Sequence, residues 1–253
     1  MARTAPREAK FDLAAHGYPA IRQAFNEVLN TCAKKLTNAE IEWASEVLGV
    51  SDGIEAEEVA LLMDAALFSP GRNQTFRPNG TRPIDRIAKG KLFKGEPLKA
   101  YLLQALPHAL FSIFEFESQH PDGGALLKDL LNDRTTIYVM DHGLAQSASA
   151  RTLLAGRFVD LGPWHIGFGV VSTLRRSEAA ALMLSTGAQD GGVTAATRSL
   201  HEPIYTARLH GQDLIMLAIE PLVMALSLVI DTDDSPLSDI VGKMRSALAR
   251  ADA

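Results

Sequence analysis

The sequence predicts an α+β protein with a helical N-terminal segment, a central five-stranded antiparallel small barrel or curled sheet, and a helical C-terminal segment. In the first and last parts of the chain, apolar residues recur every three or four positions, which is the spacing of amphipathic helices. Between residues 109 and 172, short runs of alternating apolar and polar residues are separated by turn residues, as in strands. We therefore expect segments at 1–107, 108–174 and 175–253, packed as one compact unit.

Three helices are predicted in the first 70 residues. The first spans about 19–36, because one of its faces collects the apolar residues Ile21, Phe25, Val28, Leu29 and Cys32. The second begins with a capping box, in which the Thr37 hydroxyl and the Glu40 carboxylate each bond a free backbone N–H, and it ends near Gly49. The third covers 54–68 and is acidic in its first turn, as the helix dipole favours.

Five strands are predicted in the central module, at 110–117, 125–131, 135–141, 152–160 and 164–173. The tight turns between them are predicted at 121–124, 132–133 and 161–163, and a loop is expected over 142–151. Turns this closely spaced favour a barrel or curled sheet of the SH3 or OB kind. On the last strand Gly167 and Gly169 share a face with His165, which predicts a bulge or the close approach of another group.

The C-terminal segment is predicted to be helical at 176–186, 202–209, 214–230 and 236–250, with a glycine-containing loop at 187–193. The apolar run 214–230 is short for a membrane span and contains Glu220 and Pro221. We therefore expect it to be a core helix, buried within one chain or at the interface of a homodimer. Residues 1–10 lack the apolar stretch of a secretory signal. Because 214–230 is the one membrane-like run in the sequence, no membrane association is expected.

The bulk composition excludes several classes of protein. The chain has 253 residues and is 47% hydrophobic, which is enough to bury a substantial core. Its formal net charge of -5 argues against a surface built throughout to hold nucleic acid. Cys32 is the single cysteine, which excludes an intramolecular disulfide and a Cys-rich zinc site and favours a cytoplasmic location.

A family resemblance rests on several short motifs over about 55–172. They are Gly80-Thr81-Arg82, the strand at 110–117, the run 124–131, Tyr138-Val139 and the run 153–157. Together they resemble a module of uncharacterised bacterial proteins that often carry a SEC-C zinc tail. The resemblance implies no activity, and the zinc tail itself is not expected here because the chain has one cysteine.

The residues that favour an enzyme are Asp141, His142 and His165. A carboxylate fixes an imidazole tautomer, and an imidazole accepts a proton near neutral pH, so convergent strand ends could orient a water, bind a metal or activate a serine. The other interpretation is that all three are ordinary turn and strand residues. No Gly-x-Ser-x-Gly motif surrounds Ser147 or Ser149, and no two histidines have the His-x3-His spacing of a helical metal site. We therefore expect no metal and no cofactor.

The strongest binding candidate is a basic loop at 69–95. Its cations are Arg72, Arg77, Arg82, Arg86, Lys89, Lys91 and Lys94. With Phe76 and Phe93 interleaved, they could bind a nucleic-acid backbone, contact an acidic protein partner, or neutralise the acidic helix at 55–64. The leading hypothesis is a non-enzymatic binding or adaptor protein that contacts its partner through this loop and the rim of the β-module. The alternative is a hydrolase or metal-dependent enzyme.

Arg157 is expected to be buried on the fourth strand. It shares a face with Leu153, Ala155 and Val159, and an unpaired buried charge costs several kcal/mol. A structural ion pair is therefore predicted. Candidate partners on neighbouring strands are Glu115, Glu117 and Asp129.

Overall fold

The computed structural model describes residues 12–50, 55–69, 82–187 and 200–219, together with the single residues 246 and 250, and the structural statements below concern these residues. The helices of the N-terminal segment are α1 (Tyr18–Ala33), α2 (Asn38–Leu48), α3 (Ala56–Phe68), α4 (Pro83–Ala88) and α5 (Pro97–Ala105). Short 3-10 turns occur at Leu13–Ala15 and Leu106–His108.

The start and end of α2 show why these helices form where the sequence predicts them. The Thr37 hydroxyl accepts from the Glu40 N–H, and the Glu40 carboxylate accepts from the Thr37 N–H at 2.8 Å, so the predicted capping box is confirmed. Gly49 ends the helix with a φ of 66°, a left-handed conformation that glycine adopts without steric cost.

The sheet consists of β1 (Leu110–Gln119), β2 (Ala125–Asp129), β3 (Thr136–Val139), β4 (Leu153–Asp160) and β5 (His165–Leu174). The strand order is β1-β2-β3-β5-β4, and β4 pairs back with β1, so the pairings form a ring. All pairings are antiparallel except that of β3 with β5, which consists of one parallel bridge between Val139 and His165. The sheet is therefore mixed and strongly curled, and the α+β class and the five strands are confirmed.

The parallel seam follows from the connections of the strands. A helix, α6 (His142–Ser147), and then β4 separate β3 from β5, and a tight turn returns β5 antiparallel to β4. Residues 142–151 were expected to form a loop throughout. They begin with α6 because the Asp141 carboxylate caps its first turn by accepting from the Leu144 N–H at 3.0 Å.

The ring has an apolar interior and an outer face that helices cover. Phe114, Leu127, Leu154 and Phe158 belong to the inner cluster. A second cluster packs α1, α4 and α5 against β4 and β5, and a third packs α2, α3 and the C-terminal helices against β1 and β4. Helices from both ends of the chain thus contact the sheet.

The C-terminal part contains α7 (Arg176–Gly187), α8 (His201–His210) and helical residues at 214–219. Leu214, Ile215, Ala218 and Ile219 are buried, as expected for the start of the predicted core helix. Residues 220–230, the loop at 188–193 and most of the helix at 236–250 lie outside the described residues. No helix in the described ranges is both long enough and apolar enough to span a membrane.

Candidate functional site

Aromatic side chains gather at one edge of the ring, where the β1–β2 loop, the start of α6 and the β4–β5 turn meet the start of α1. We call this surface the rim and define it by Tyr18, His120, Tyr138, His142 and Trp164. The Tyr18 ring lies edge-on to His142, with centroids 5.4 Å apart, and to Trp164 at 6.0 Å. His142 is exposed and the other four side chains are half-buried, so the rim is accessible to a ligand.

Two glycines of the β1–β2 loop hold the rim together. The His120 ring stacks on Tyr138 at 3.8 Å, and the Tyr138 hydroxyl donates to the Gly123 carbonyl at 2.9 Å. A side chain at Gly123 would lie 2.5 Å from the His142 ring, so glycine allows His142 to sit against the loop. At Gly124 a Cβ would fall on the Val139 carbonyl oxygen. Both residues have positive φ, which glycine tolerates.

Arg22 of α1 connects the rim to the sheet. Its Nη1 donates to the Gly167 carbonyl at 2.6 Å, and its Nη2 donates to the Tyr18 hydroxyl at 3.1 Å. Nη2 also lies 3.4 Å from an Asp141 carboxylate oxygen. The guanidinium therefore joins α1, β5 and the start of α6 in one network. Charge-assisted hydrogen bonds of this kind fix orientation strongly.

The three residues of the enzyme hypothesis lie near one another along the seam, but their side chains have separate partners. The Asp141 carboxylate bonds the Leu144 N–H and Arg22. His142 points to Tyr18 and is exposed. In the described part of the chain, no hydrogen bond joins Asp141 to either imidazole, although a carboxylate that orients a catalytic base must make one.

His165 is the most buried of the three. Burial lowers the pKa of its imidazole, while the Asp160 carboxylate and a hydrogen bond with the Tyr138 backbone act in the opposite direction. Its Nδ1 is buried and has no hydrogen-bond partner among the residues described. Within the same residues, no three His, Cys, Asp or Glu side chains are grouped as a metal site would require. The Ser147 and Ser149 hydroxyls bond their own turns.

Two of the basic-loop arginines bind within the chain. Arg82 donates to the Asp85 carboxylate at 2.7 Å and to the Pro107 carbonyl at 2.6 Å. Arg86 donates to both carboxylate oxygens of Glu40, at 2.9 and 2.8 Å, and thereby ties α4 to α2. These two cations therefore have structural partners on elements other than the acidic helix at 55–64. Arg72, Arg77 and Phe76 lie outside the described residues.

The remaining predicted cations, Lys89, Lys91 and Lys94, are exposed on the turn between α4 and α5. We call this surface the lysine turn. Phe93 lies within it with a φ of 59°, which is uncommon for a residue other than glycine, and its ring packs on the core formed by α1 and α5. Packing of Phe93 into the core therefore holds the three lysines on the outside.

Arg157 is buried and paired, as the sequence predicts, but the proposed partners are wrong. Its guanidinium bonds both carboxylate oxygens of Asp64 on α3, at 2.9 and 3.1 Å, and lies 4.2 Å from the centroid of the Phe68 ring. The Tyr205 hydroxyl donates to the same carboxylate at 2.8 Å. Arg157 therefore joins β4 to α3 and α8. Among the earlier candidates, Asp129 instead accepts from Ser112 and the backbone of the following turn.

Sequence reasoning missed a second polar cluster, at the contact of α3 with α8. Ser69, which follows α3, and His201 are both buried, and the Ser69 Oγ lies 2.7 Å from the His201 Nε2. Burial raises the pKa of the adjacent Glu202 to about 7, although a hydrogen bond with Ser69 lowers it. Glu202 is therefore partly protonated near neutral pH. No local motif joins these residues, because 132 positions separate Ser69 from His201.

This cluster predicts a pH dependence of stability. The pKa of Glu202 is raised from 4.5 to about 7 in the folded state, so the folded protein holds this proton more tightly than the unfolded chain does. The contribution of the protonated carboxyl group to the free energy of unfolding is therefore complete below pH 4.5 and is lost as the pH rises through 7. We expect the free energy of unfolding to fall by up to about 3 kcal/mol over that interval. Urea unfolding of the wild type and Glu202→Gln at several pH values checks this. The difference between the two proteins should change with pH, and a constant difference would contradict the prediction.

Two rim residues were also missed, Tyr18 and Arg22. They lie on α1, which the sequence predicts from its apolar face alone. The contacts that define their roles are distant in the chain, since Arg22 is 145 positions from Gly167 and 119 from Asp141. Only the tertiary structure brings them to the sheet.

By its architecture the chain is an α+β protein built around a curled, mixed sheet of five strands. It belongs to a family of unknown function (DUF7986), whose model matches residues 14–187. The match runs from α1 through α7 and so contains the strand ring, the rim and the lysine turn. No curated protein and no solved structure matches the chain. Nothing in the family match concerns SEC-C zinc tails, so that resemblance stays a prediction from the sequence.

Proposed function

We propose that this protein is a non-enzymatic binding or adaptor protein that holds a partner through the rim and the lysine turn. The observation that carries the proposal is the accessible aromatic rim, which lies between the β1–β2 loop and the β4–β5 turn. Arg22 fixes the start of α1, and with it Tyr18, against β5. In OB-folds, one of the two kinds of barrel that the closely spaced turns predict, the corresponding two loops bind oligonucleotides and oligosaccharides. Tyr and Trp are also enriched at binding surfaces, because they combine apolar area with a polar group.

The charges around the rim favour an acidic protein over nucleic acid as the partner. The exposed lysines attract either kind of anion. Near the rim, however, Asp122 is exposed beside β1, and Glu117 is exposed on β1 with the Lys128 ammonium 4.0 Å away. The Asp122 carboxylate would repel evenly spaced phosphates, whereas a protein can confine its acidic residues to the surface that meets the lysine turn. Arg82 and Arg86 pair with Asp85 and Glu40 and not with the acidic helix at 55–64, so the neutralising role that the sequence suggests for the loop does not apply to these two arginines.

The enzyme alternative has less support. Asp141 caps α6 and binds Arg22, so its carboxylate already has partners other than an imidazole. We infer a cytoplasmic location because the chain has one cysteine and therefore no intramolecular disulfide. That cysteine, Cys32, is buried, and burial raises the pKa of its thiol to about 12. Light scattering will show whether the chain is a monomer or the homodimer that the apolar run 214–230 allows.

Two labelled probes test the proposal by fluorescence anisotropy, a polyglutamate peptide and an oligothymidylate, each of about 20 units, at low and high salt. We expect Lys91→Glu/Lys94→Glu to weaken polyglutamate binding by about tenfold at low salt, because it reverses two exposed charges of the lysine turn. The matched control is Lys34→Glu/Lys35→Glu, which makes the same charge change at the end of α1. It should have little effect.

The rim is tested with Tyr18→Ala/Trp164→Ala. Base stacking on aromatic rings contributes about 1–3 kcal/mol per base, so a nucleic-acid partner would require these rings. If oligothymidylate binds more tightly than polyglutamate and loses affinity in this variant, the choice of an acidic protein is wrong. If both charge-reversal variants bind like the wild type, the lysine turn is not a binding surface and the proposal fails.

A further inference from the structure

The ring is closed by a short contact between β3 and β5, which we call the seam. The two strands share a single parallel bridge, between Val139 and His165, and the Met140 N–H donates to the His165 carbonyl at 2.9 Å. The neighbouring pair of β4 and β5, in contrast, is joined from Leu153 to Asp160. Parallel pairing is also slightly less stable per residue than antiparallel pairing. We therefore expect the ring to open first at the seam.

The imidazole of His165 is largely buried at the seam. It makes a hydrogen bond with the backbone of Tyr138 on the opposite strand, but its Nδ1 has no hydrogen-bond partner in the part of the chain that the structure describes. A neutral imidazole has one N–H donor, whereas an imidazolium has two. A proton taken up by His165 would therefore leave a buried N–H without an acceptor and a charge away from water. Both costs disappear when the seam opens and water reaches the imidazole.

The charges around His165 do not remove this cost. The Asp160 carboxylate, opposite His165 on β4, attracts a proton to the imidazole, but it is exposed and accepts from the Gly162 N–H at 2.7 Å. Burial outweighs this attraction and lowers the pKa of His165 below its usual value of 6.5. The other charged or titratable groups on the elements around the seam are Tyr138, His120 and Asp122 beside β3, Tyr18 and Arg22 on α1, and Asp141 and His142 at the start of α6.

The rim is built across the same seam. Its residues from the β1–β2 loop, β3 and the start of α6 lie on one side, and those from α1 and the turn before β5 lie on the other. The edge-on contact of Tyr18 with His142, at 5.4 Å between centroids, crosses the seam. The contact of Arg22 with Asp141 crosses it too, because Arg22 also bonds the Gly167 carbonyl of β5. Movement of β3 away from β5 would therefore break both contacts and divide the rim.

We propose that His165 makes the seam sensitive to pH: uptake of a proton by its imidazole opens the contact of β3 with β5 and divides the rim. Because the pKa of His165 is lowered in the closed form, this form is most stable above pH 6.5 and loses stability as the pH falls below that value. Acid therefore releases whatever the rim holds, a consequence that rests on the binding function proposed above. The opening itself is a property of the free protein.

Amide hydrogen exchange of the full chain, without a partner, tests the proposal. The Met140 amide reports on the seam because it donates across it. The Phe116 amide is the control, since it donates to the Thr152 carbonyl at 2.9 Å, between β1 and the residue before β4. After correction for intrinsic exchange rates, we expect Met140 protection to fall several-fold, and at most about tenfold, from about pH 7.5 to about pH 5.5. The upper limit is the ratio of charged to neutral imidazole at about pH 5.5 when its pKa is 6.5. Phe116 protection should not change.

Two matched variants assign the effect to His165. In His165→Gln, which has no imidazole to protonate, Met140 protection should be the same at both pH values. In His108→Gln, the same substitution away from the seam, it should fall as in the wild type. Nuclear magnetic resonance of the wild type provides a test that needs no variant to fold. The signals of the His165 imidazole and the Met140 exchange should change over the same pH range.

The proposal is overturned if Met140 protection does not fall while the His165 imidazole titrates, or if it falls equally in His165→Gln, because another group then opens the seam. An equal loss at Phe116 also overturns it, since the whole ring would then unfold. Glu202 cannot imitate the expected result, because its protonation stabilises the folded state as the pH falls. These outcomes are independent of the polyglutamate test, in which the rim and the lysine turn can fail while the seam still opens.

Discussion

Asp64→Ala will lower the free energy of unfolding by about 3–5 kcal/mol, one of the two largest effects that we expect from a single substitution in the chain. The reason is the burial of its partner. Arg157 and Asp64 have side chains only 4% and 3% exposed, and they bond each other through two N–H···O contacts. Without the carboxylate, the guanidinium keeps its charge in an apolar setting between the Phe68 and Phe111 rings. The Tyr205 hydroxyl also loses its acceptor. Urea unfolding measures the change.

A matched triple variant separates the cost of an unpaired charge from the contribution of the pair itself. In Asp64→Leu/Arg157→Met/Tyr205→Phe no buried polar group of this network is left without a partner. Replacement of a buried ion pair by apolar residues of similar size is often neutral or stabilising. We therefore expect the triple variant to be much more stable than Asp64→Ala. If Asp64→Ala costs less than about 1 kcal/mol, Arg157 reaches water or another partner and the network does not hold α3 and α8 to the sheet.

For the Arg157 network, the sequence predicts the burial of the arginine and its need for a partner, but not which residue the partner is. The alternation of β4 places Arg157 on a buried face, and the cost of an isolated buried charge then requires a partner. The identity of that partner is not encoded locally, because Asp64 lies 93 positions away on a helix. Our candidates came from neighbouring strands, which is where a single sheet face would supply them. They failed because a helix, not another strand, covers the outer face of β4.

Secondary structure was predictable where both partners of an interaction are close in the chain. The capping box of α2 joins residues three apart, and strand alternation has a period of two, so both are visible in the sequence. The short helix α6 was not predictable in this way, because its six residues span less than two turns and so show no repeating helical pattern. The closure of the sheet into a ring, with its parallel seam at Val139 and His165, depends on contacts between strands that no short motif specifies.

Of the candidate site, the lysine turn was predictable from the sequence and the rim was not. Exposed lysines on a turn between helices follow from composition, since a run of cations with glycines is rarely buried. The rim depends instead on α1 reaching across to β5, with Arg22 bonding Gly167 and Tyr18 contacting His142 and Trp164. The Arg22 contact with Asp141 also joins residues that are distant in the chain, so the sequence does not reveal it.

Gly124→Ala is the second substitution for which we expect a large loss of stability, of at least about 3 kcal/mol, or failure to fold. Gly124 has a φ of 80°, and a side chain there would meet the carbonyl oxygen of Val139 and lie 3.1 Å from the Met140 Cα. These atoms are backbone atoms of β3 and the residue after it, next to the bridge that closes the ring. Neither can move as a side chain would, so β2 must separate from β3 or the seam must open. Urea unfolding measures the loss.

Gly162→Ala provides the control for backbone conformation alone. Gly162 has a φ of 95°, close to that of Gly124, but no atom lies within 4 Å of its added Cβ. Its replacement should therefore cost only the strain of a positive φ, about 1–2 kcal/mol. The loss of stability in Gly124→Ala minus the loss in Gly162→Ala therefore measures the cost of the steric contact between the β1–β2 loop and the end of β3. If the two variants lose equal stability, the loop does not pack on the seam. The rim, which depends on Gly123 lying against His142 beside it, would then lack its support.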